Sequence, residues 1–361
     1  MPLPSFVVGL GVWLLGNHYL HVAILKTILL LLPIEAAIYL VWLQMPLSRV
    51  RATFVTLLLL VPFAITAFLA DVVNLQVEEG YVYSFLALAV ALLLFGGRLA
   101  KAQNGLRRAI LFAIAVDGVY LAKSSMAPAA LVLLAGFLLL ERRRLPRLVA
   151  FLLIAAAPIG WAAHQHHASG RYSIGTSIDG MNLHKANNPK FINRYPPPPG
   201  DSLDRFDPEL NQGLHFDDEW SFNDYHQREA VRYLLAHPGE TFRGDIRKVE
   251  VFFFSVEKYG SSANQGILKF AETAGLVAFR LMLWAAIACA AYTLFVPSHR
   301  EPRQLRLMSA IFLTLVAACA FPYLVGFAYT RHASILIYPA ALMCCRMLTE
   351  GDSQTRTAGH S

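Results

Sequence analysis

Residues 151–180, FLLIAAAPIGWAAHQHHASGRYSIGTSIDG, hold the transition that decides the architecture. The first part is apolar and uncharged; from His164 onward the chain turns to His, Arg, Ser, Gly and Asp. That polar character lasts to Glu272, an island of roughly 109 residues, and apolar runs broken by short basic turns lie on both sides of it. A lipid-embedded frame carrying one large water-facing insert implies chemistry at a membrane surface, where a lipid-borne substrate meets a soluble one.

Composition agrees. The 361 residues are 56% hydrophobic and 15% charged, with a mean hydropathy of +0.47, whereas a soluble domain carries about a quarter charged residues. The net charge of +7 does not indicate nucleic acid, because the basic residues sit in short turns between apolar runs, as the positive-inside bias requires. Cys289, Cys319, Cys344 and Cys345 all lie in apolar runs, which leaves neither a CxxC metal site nor a disulfide framework.

A helix needs about 20 apolar residues to cross the hydrocarbon core. Runs of that kind fall at 20–43, 53–70, 81–97, 148–163, 273–296, 307–328 and 332–348. The stretch 109–140 is too long for one span and breaks at Lys123-Ser124-Ser125, with Pro128 just after, so it reads as two short helices. Residues 5–17 add a short apolar segment. The expected fold is therefore an all-α polytopic membrane protein with about ten transmembrane or short membrane helices and a mixed periplasmic loop cap. Its parts are N-terminal membrane helices (1–163), the cap (164–272), C-terminal membrane helices (273–348) and a cytoplasmic tail (349–361).

Orientation follows from the turns. Arg49 and Arg51, then Arg98, Lys101, Arg107 and Arg108, then Arg142, Arg143, Arg144 and Arg147, then Arg300, Arg303 and Arg306 fall on one side when the spans alternate. The bias makes that side cytoplasmic, which puts the island on the periplasmic face of an inner membrane. Within it, Tyr172–Asn188 is rich in Gly, Asn and Ser, which favour turns and irregular backbone. Pro196–Pro199 is a stiff polyproline spacer, and Asp201–Trp220 is acidic and irregular. Asn223–Ala236 has helical period, His237-Pro238 ends it, and Thr241–Ser255 reads as a second amphipathic helix running toward the membrane.

Four stretches carry a family likeness: WAAHQHHASGRYSIGTSIDGMNLHKANNP (161–189), YLAKSSMAPAALVLL (120–134), AVRYLLAHPGETFRGDIRKVEVFFF (230–254), and Arg331-His332 followed by Tyr338-Pro339. In this order the chain resembles the GT-C superfamily of polyprenyl-phosphate-sugar-dependent membrane glycosyltransferases. That superfamily includes the protein O-mannosyltransferases and the lipid A aminoarabinose transferase. The resemblance implies transfer of a sugar from a polyprenyl-phosphate-linked donor to a glycan, lipid or protein acceptor. It implies membrane lipids as partners and no nucleic acid. Such enzymes carry an acidic pair in a first outer loop between their first two spans. The chain shows no comparable loop, so the resemblance implies a missing first span and first catalytic loop: either the true start lies upstream, the protein is a degenerate relative, or the carboxylate comes from elsewhere.

Such a reaction needs cations around the phosphate and a carboxylate to deprotonate the acceptor. Glu78 and Glu79, at the start of a span, are the expected base, with Asp71 nearby in the chain; acids at a solvated helix N-terminus explain the pair equally. Lys123 stands where the family has Arg, and its alternative is a local pair with Asp117. Arg331 and His332 are expected at the lipid phosphate, or Arg331 is a snorkelling anchor. Asp179, Asn182, Lys185 and Asn188 are expected to contact sugar or pyrophosphate, or to cap turns. Glu35, inside the first long span, is expected to face the bundle. His164, His166 and His167 read as interfacial residues and not metal ligands. No cofactor is assigned; a divalent cation is the one candidate, at Asp217-Asp218-Glu219, a run that is more often just solvated. The competing classes are an inactive or truncated lipid-binding accessory protein, an O-antigen polymerase or ligase, and a transporter. The absence of an internal repeat counts against a transporter.

Overall fold

The computed structural model describes residues 2–16, 19–44, 52–53, 55–57, 78–96, 105–194, 207–256, 267–296 and 303–358. Fourteen α-helices are named here in chain order: α1 Pro2–Leu15, α2 Tyr19–Trp42, α3 Glu78–Phe95, α4 Gly105–Ala122, α5 Ala127–Leu140, α6 Arg144–Ser169, α7 Asp179–Ala186, α8 Pro189–Arg194, α9 Asp207–Asn211, α10 Glu219–Ala236, α11 Pro238–Phe253, α12 Ile267–Phe295, α13 Arg303–Val325 and α14 Ile337–Ala358. Short 3₁₀ turns cover Ser124–Met126 and Thr330–Leu336, and there is no strand among the described residues.

Among the described residues, six segments are long and apolar enough to cross a membrane: Val22–Trp42, Glu78–Phe95, Arg144–Ser169, Thr273–Phe295, Arg303–Val325 and Thr330–Thr349. They overlap the expected intervals at 20–43, 81–97, 148–163, 273–296, 307–328 and 332–348. Shorter apolar helices lie at Leu3–Leu15 and Ser124–Leu140. The expected span 53–70 lies mostly outside the described residues. So do Asp71, the prolines 196–199, and Arg49, Arg51, Arg98, Lys101 and Arg300. Two compact units divide the chain: Met1–Ile174 with Ala278–Ala318 and Ile335–Ser361, and Gly175–Val277 with Cys319–Ser334.

The first unit is built around α3. Past its two glutamates this helix has no charged residue and no polar face, and a helix apolar all round is stable only when wrapped. Helices α2, α4 and α14 pack against it, burying nearly every residue from Glu79 to Phe95. The approach of α4 is set by Gly118, where a Cβ would sit 2.5 Å from the ring of Phe85. Glu35 on α2 is exposed, where it was expected to face the bundle.

Charge enters this unit mainly at helix ends. Where α3 and α5 finish and α4 and α6 begin, Arg108 meets Glu141 at 3.3 Å with both side chains almost fully buried. Arg108 Nε donates to the Leu92 carbonyl at 3.3 Å, and its guanidinium lies 5.2 Å from the Phe137 ring centroid. Glu141 also accepts the Arg143 backbone N–H at 3.0 Å, while Arg147 donates to its carbonyl. One arginine and one glutamate thus join four helix ends.

In the second unit, Gly180 brings α7 onto α10. Its N–H donates to Asn223 Oδ1 at 2.7 Å, and a Cβ there would lie 2.2 Å from the Asn223 carbonyl oxygen. The backbone around Asp179–Ala186 is helical where irregular structure was expected, because this packing supplies what the local Gly and Asn content does not. Helix α10 begins at Glu219, earlier than its periodicity suggested, since Asp218 and Ser221 form a reciprocal capping box.

The buried Arg108–Glu141 pair carries a prediction. Arg108→Met or Glu141→Leu alone leaves an uncompensated buried charge and should lower stability by about 3–5 kcal/mol. The double replacement should recover most of that loss in thermal unfolding of the detergent-solubilised protein. A double variant no more stable than the singles would show that the two side chains act separately.

Candidate functional site

Lys123 lies in the break between α4 and α5, with extended backbone (φ −150°, ψ 109°) at the entrance to the 3₁₀ turn Ser124–Met126. The turn and Pro128 prevent one continuous helix, and the break aims the lysine at the start of α3. Its Nζ is 2.6 Å from Glu79 Oε1, with the Glu79 side chain 4% exposed and that of Lys123 19%; Glu78, at 40%, lies at 3.9 Å. Three candidates thus come together, and the partner of Lys123 is Glu79, 44 residues away in sequence, and not the local Asp117. One turn into α3, Tyr81 is buried and its hydroxyl has no hydrogen-bond partner among the described residues. The ammonium of the buried Lys26, on α2, sits 5.9 Å from the Tyr81 ring centroid. The hydroxyl of Tyr120 donates to the Ile174 carbonyl at 2.7 Å. This end of the first unit therefore gathers two lysines, two glutamates and two tyrosines.

In the second unit, Arg331 and His332 lie on the turn Thr330–Leu336. His332 is buried, accepts the Tyr329 N–H at Nδ1 (3.1 Å) and stacks on Tyr323 at 4.1 Å. The Arg331 guanidinium lies 4.9 Å from the Tyr329 ring centroid, and its Nε is buried without a hydrogen-bond partner among the described residues. Lys185 is buried with its ammonium 5.5 Å from the Phe327 ring centroid, and Asn182 is half-buried on α7.

Two of the sugar-contact candidates serve the backbone. Asn188 donates to the carbonyls of His184 (2.8 Å) and Lys185 (3.0 Å) and accepts the Phe191 N–H (2.9 Å), so it closes α7 and opens α8. Asp179 accepts from the Thr176 N–H at 2.8 Å and hydroxyl at 2.7 Å. The acidic run at 217–219 is largely structural as well: Asp218 caps α10, and Glu219 accepts the Ser177 hydroxyl at 2.8 Å. Among the described residues no group of three or more His, Cys, Asp or Glu is placed to hold a metal ion.

Sequence reasoning missed Lys248. Its Nζ donates to the Leu324 carbonyl (3.0 Å), Asn187 Oδ1 (3.3 Å) and Asp245 (3.0 Å), while Asn187 Nδ2 donates to the Val325 carbonyl (2.9 Å). The last carbonyls of α13 thus receive a cation and an amide, the complement a helix C-terminus needs. Burial pulls the Lys248 ammonium below its usual range, with the Asp245 carboxylate opposing. A helical wheel would have flagged it, because 248 falls on the same side as Gly244, Val251 and Phe252, all buried. No family model matches the chain, and neither a curated protein nor a solved structure matches it.

Also missed was a contact between His184 on α7 and His226 on α10, Nδ1 to Nδ1 at 2.8 Å, with Asn211 Oδ1 2.9 Å from His226 Nε2. The consistent assignment has His226 Nε2–H donating to Asn211 and its bare Nδ1 accepting from His184 Nδ1–H. A proton on His226 would set two N–H groups against each other. Burial, and then His184, hold His226 down from 6.5 to about 4; burial lowers His184 too, with Glu229 opposing. The unfolded chain therefore binds more protons than the folded one as pH falls from 6.5 toward 4, so stability is complete above that window and declines within it. Hydrogen exchange over 179–186 and 219–230, corrected for intrinsic rates, should quicken between pH 7.5 and 5. The acceleration should shrink in His226→Asn, leaving only the contribution of His184; equal protection at both pH values in the native protein would refute the coupling.

Proposed function

We propose that the protein is a membrane glycosyltransferase of the GT-C type. It moves a sugar from a polyprenyl-phosphate-linked donor to a glycan, lipid or protein acceptor on the periplasmic face of the inner membrane. About ten membrane helices form its frame, and residues 164–272 form a cap on the outer side. The observation that carries this reading is the Lys123–Glu79 pair at the break between α4 and α5, where a buried carboxylate and an ammonium meet at 2.6 Å.

The pair supplies both groups the reaction needs. A lipid phosphate arriving at Lys123 competes for the ammonium and frees the Glu79 carboxylate. Glu79 then takes the proton of the acceptor hydroxyl as its oxygen attacks the anomeric carbon. The new glycosidic C–O bond forms while the anomeric carbon's bond to the phosphate oxygen breaks, and the polyprenyl phosphate leaves with its charge met by Lys123. Glu78, the more exposed of the two acids, is the nearer to solvent for proton return. Arg331, with its planar fork incompletely bonded, is the second candidate for a lipid phosphate.

The same pair favours one other reading. A salt bridge this short can also be purely structural, which would leave a lipid-binding accessory protein without transfer activity. The test is transfer and binding measured on one preparation with polyprenyl-phosphate sugar. Glu79→Gln should lower transfer at least about a hundredfold, the low end for loss of a general base, and leave lipid binding in place. Lys123→Ala should weaken both, and melting curves control for folding. Native protein that binds the lipid but transfers nothing would establish the accessory reading, and unchanged transfer in Glu79→Gln would remove the base assignment.

A further inference from the structure

Helix α11 has two stripes, of which the fold buries one completely and the other, apolar one only in part. Gly244, Lys248, Val251 and Phe252 are buried; Phe252 stacks against Tyr323 at 5.7 Å and Lys248 caps the Leu324 carbonyl at 3.0 Å. Both contacts are to the last turn of α13, a helix long and apolar enough to cross a membrane. One side of α11 is therefore fastened to the end of a span.

The second stripe is Phe242, Ile246, Val249 and Phe253, spaced by four, three and four residues. At 3.6 residues per turn its centre lies about 140° around the helix from the packed stripe. Phe242 is 66% exposed and Ile246 53%, and Val249 and Phe253 are half-buried. Exposed Glu250, Arg243 and Arg247 follow in that order beyond one edge of the stripe, and Asp245 lies at the other. A soluble helix gains nothing from leaving Phe242 and Ile246 in water. A helix held at the end of a membrane span meets a surface that fits it: acyl chains below, and headgroup phosphates at the depth of its arginines.

We propose that α11 lies in the membrane interface, with Phe242, Ile246, Val249 and Phe253 set into the acyl boundary and Arg243 and Arg247 on the phosphates of anionic phospholipids. The inference stands apart from the glycosyl-transfer reading, because it needs only the span and the two faces of the helix. A second copy of the chain or a soluble protein would cover the same stripe without lipid contact, and the test separates these outcomes.

Cysteine is placed at 242 or 246 in full-length protein whose four native cysteines are replaced, then labelled with an environment-sensitive fluorophore and reconstituted in nanodiscs. A label at Leu281, exposed on a span, serves as the lipid reference, and one at the exposed Asp217 as the water reference. Labels at 242 and 246 should be quenched by brominated acyl chains to the level of the 281 label and resist aqueous iodide. Brominated phosphatidylglycerol should quench them more than brominated phosphatidylcholine, and the paired change Arg243→Ser, Arg247→Ser should abolish that preference. Iodide quenching like that of the 217 label would overturn the proposal, as would labels shielded from both bromolipid and iodide, the signature of a protein partner. Every substitution on α11 is at an exposed position, so failure to fold does not obscure the result.

Discussion

A helix with no polar side imposes the central constraint. Past the hydroxyls of Tyr81, Tyr83 and Ser84, α3 offers its neighbours only apolar surface, so it must be surrounded, and charges can enter only where it begins or ends. They do so at both places. At its start Glu79 and Glu78 meet Lys123; at its finish the Leu92 carbonyl meets Arg108, which Glu141 holds. Each pair joins a helix end to the break or turn of another. The break between α4 and α5 follows from the same constraint: a lysine in mid-helix would face acyl chains, whereas one at a break can reach an anion at the bundle's end.

The two pairs are not equivalent. Arg108 and Glu141 are enclosed by backbone carbonyls and N–H groups of four helix ends, and every part of the guanidinium's surroundings has a structural task. Lys123 is more open, flanked by a half-exposed second carboxylate, a buried tyrosine hydroxyl without a partner among the described residues, and another lysine against that tyrosine's ring. Surplus hydrogen-bonding capacity and unequal exposure mark a place where a ligand can enter and exchange partners. Chemistry is better sought there than at the tighter clamp.

Hydropathy alone located six of the spans, because membrane crossing is a property of local composition and length. The break at Lys123 was also legible, since Lys-Ser-Ser followed by Pro128 is a local signal. What sits opposite the break was not: Glu79 is 44 positions earlier, and the His184–His226 contact joins residues 42 positions apart, so no window of sequence contains either pair. The polar island misled most where composition was read as conformation. Asn, Gly and Asp over 179–188 suggested loose backbone, with sugar contacts or turn caps as the two uses of Asp179 and Asn188; instead Gly180 packs one helix on another, Asn188 bonds the ends of two helices, and Asp179 accepts from Thr176. Short polar side chains serve the backbone first, and only geometry shows which of them have capacity left.

The buried lysines make the same point about charge. Lys248 is the more deeply buried, and burial lowers its affinity for a proton, yet the Leu324 carbonyl at the end of α13, the Asn187 side chain and the half-exposed Asp245 carboxylate take up its N–H donors. It completes a helix terminus. Lys123 is less buried, and its partner is a carboxylate that can act as a base once released. Depth of burial therefore ranks these residues in the wrong order for function. On the proposed reading, what separates them is the partner: displacing the half-exposed Asp245 from Lys248 leaves an ordinary solvated carboxylate, whereas freeing the buried Glu79 would yield a general base beside the cation that a leaving phosphate requires.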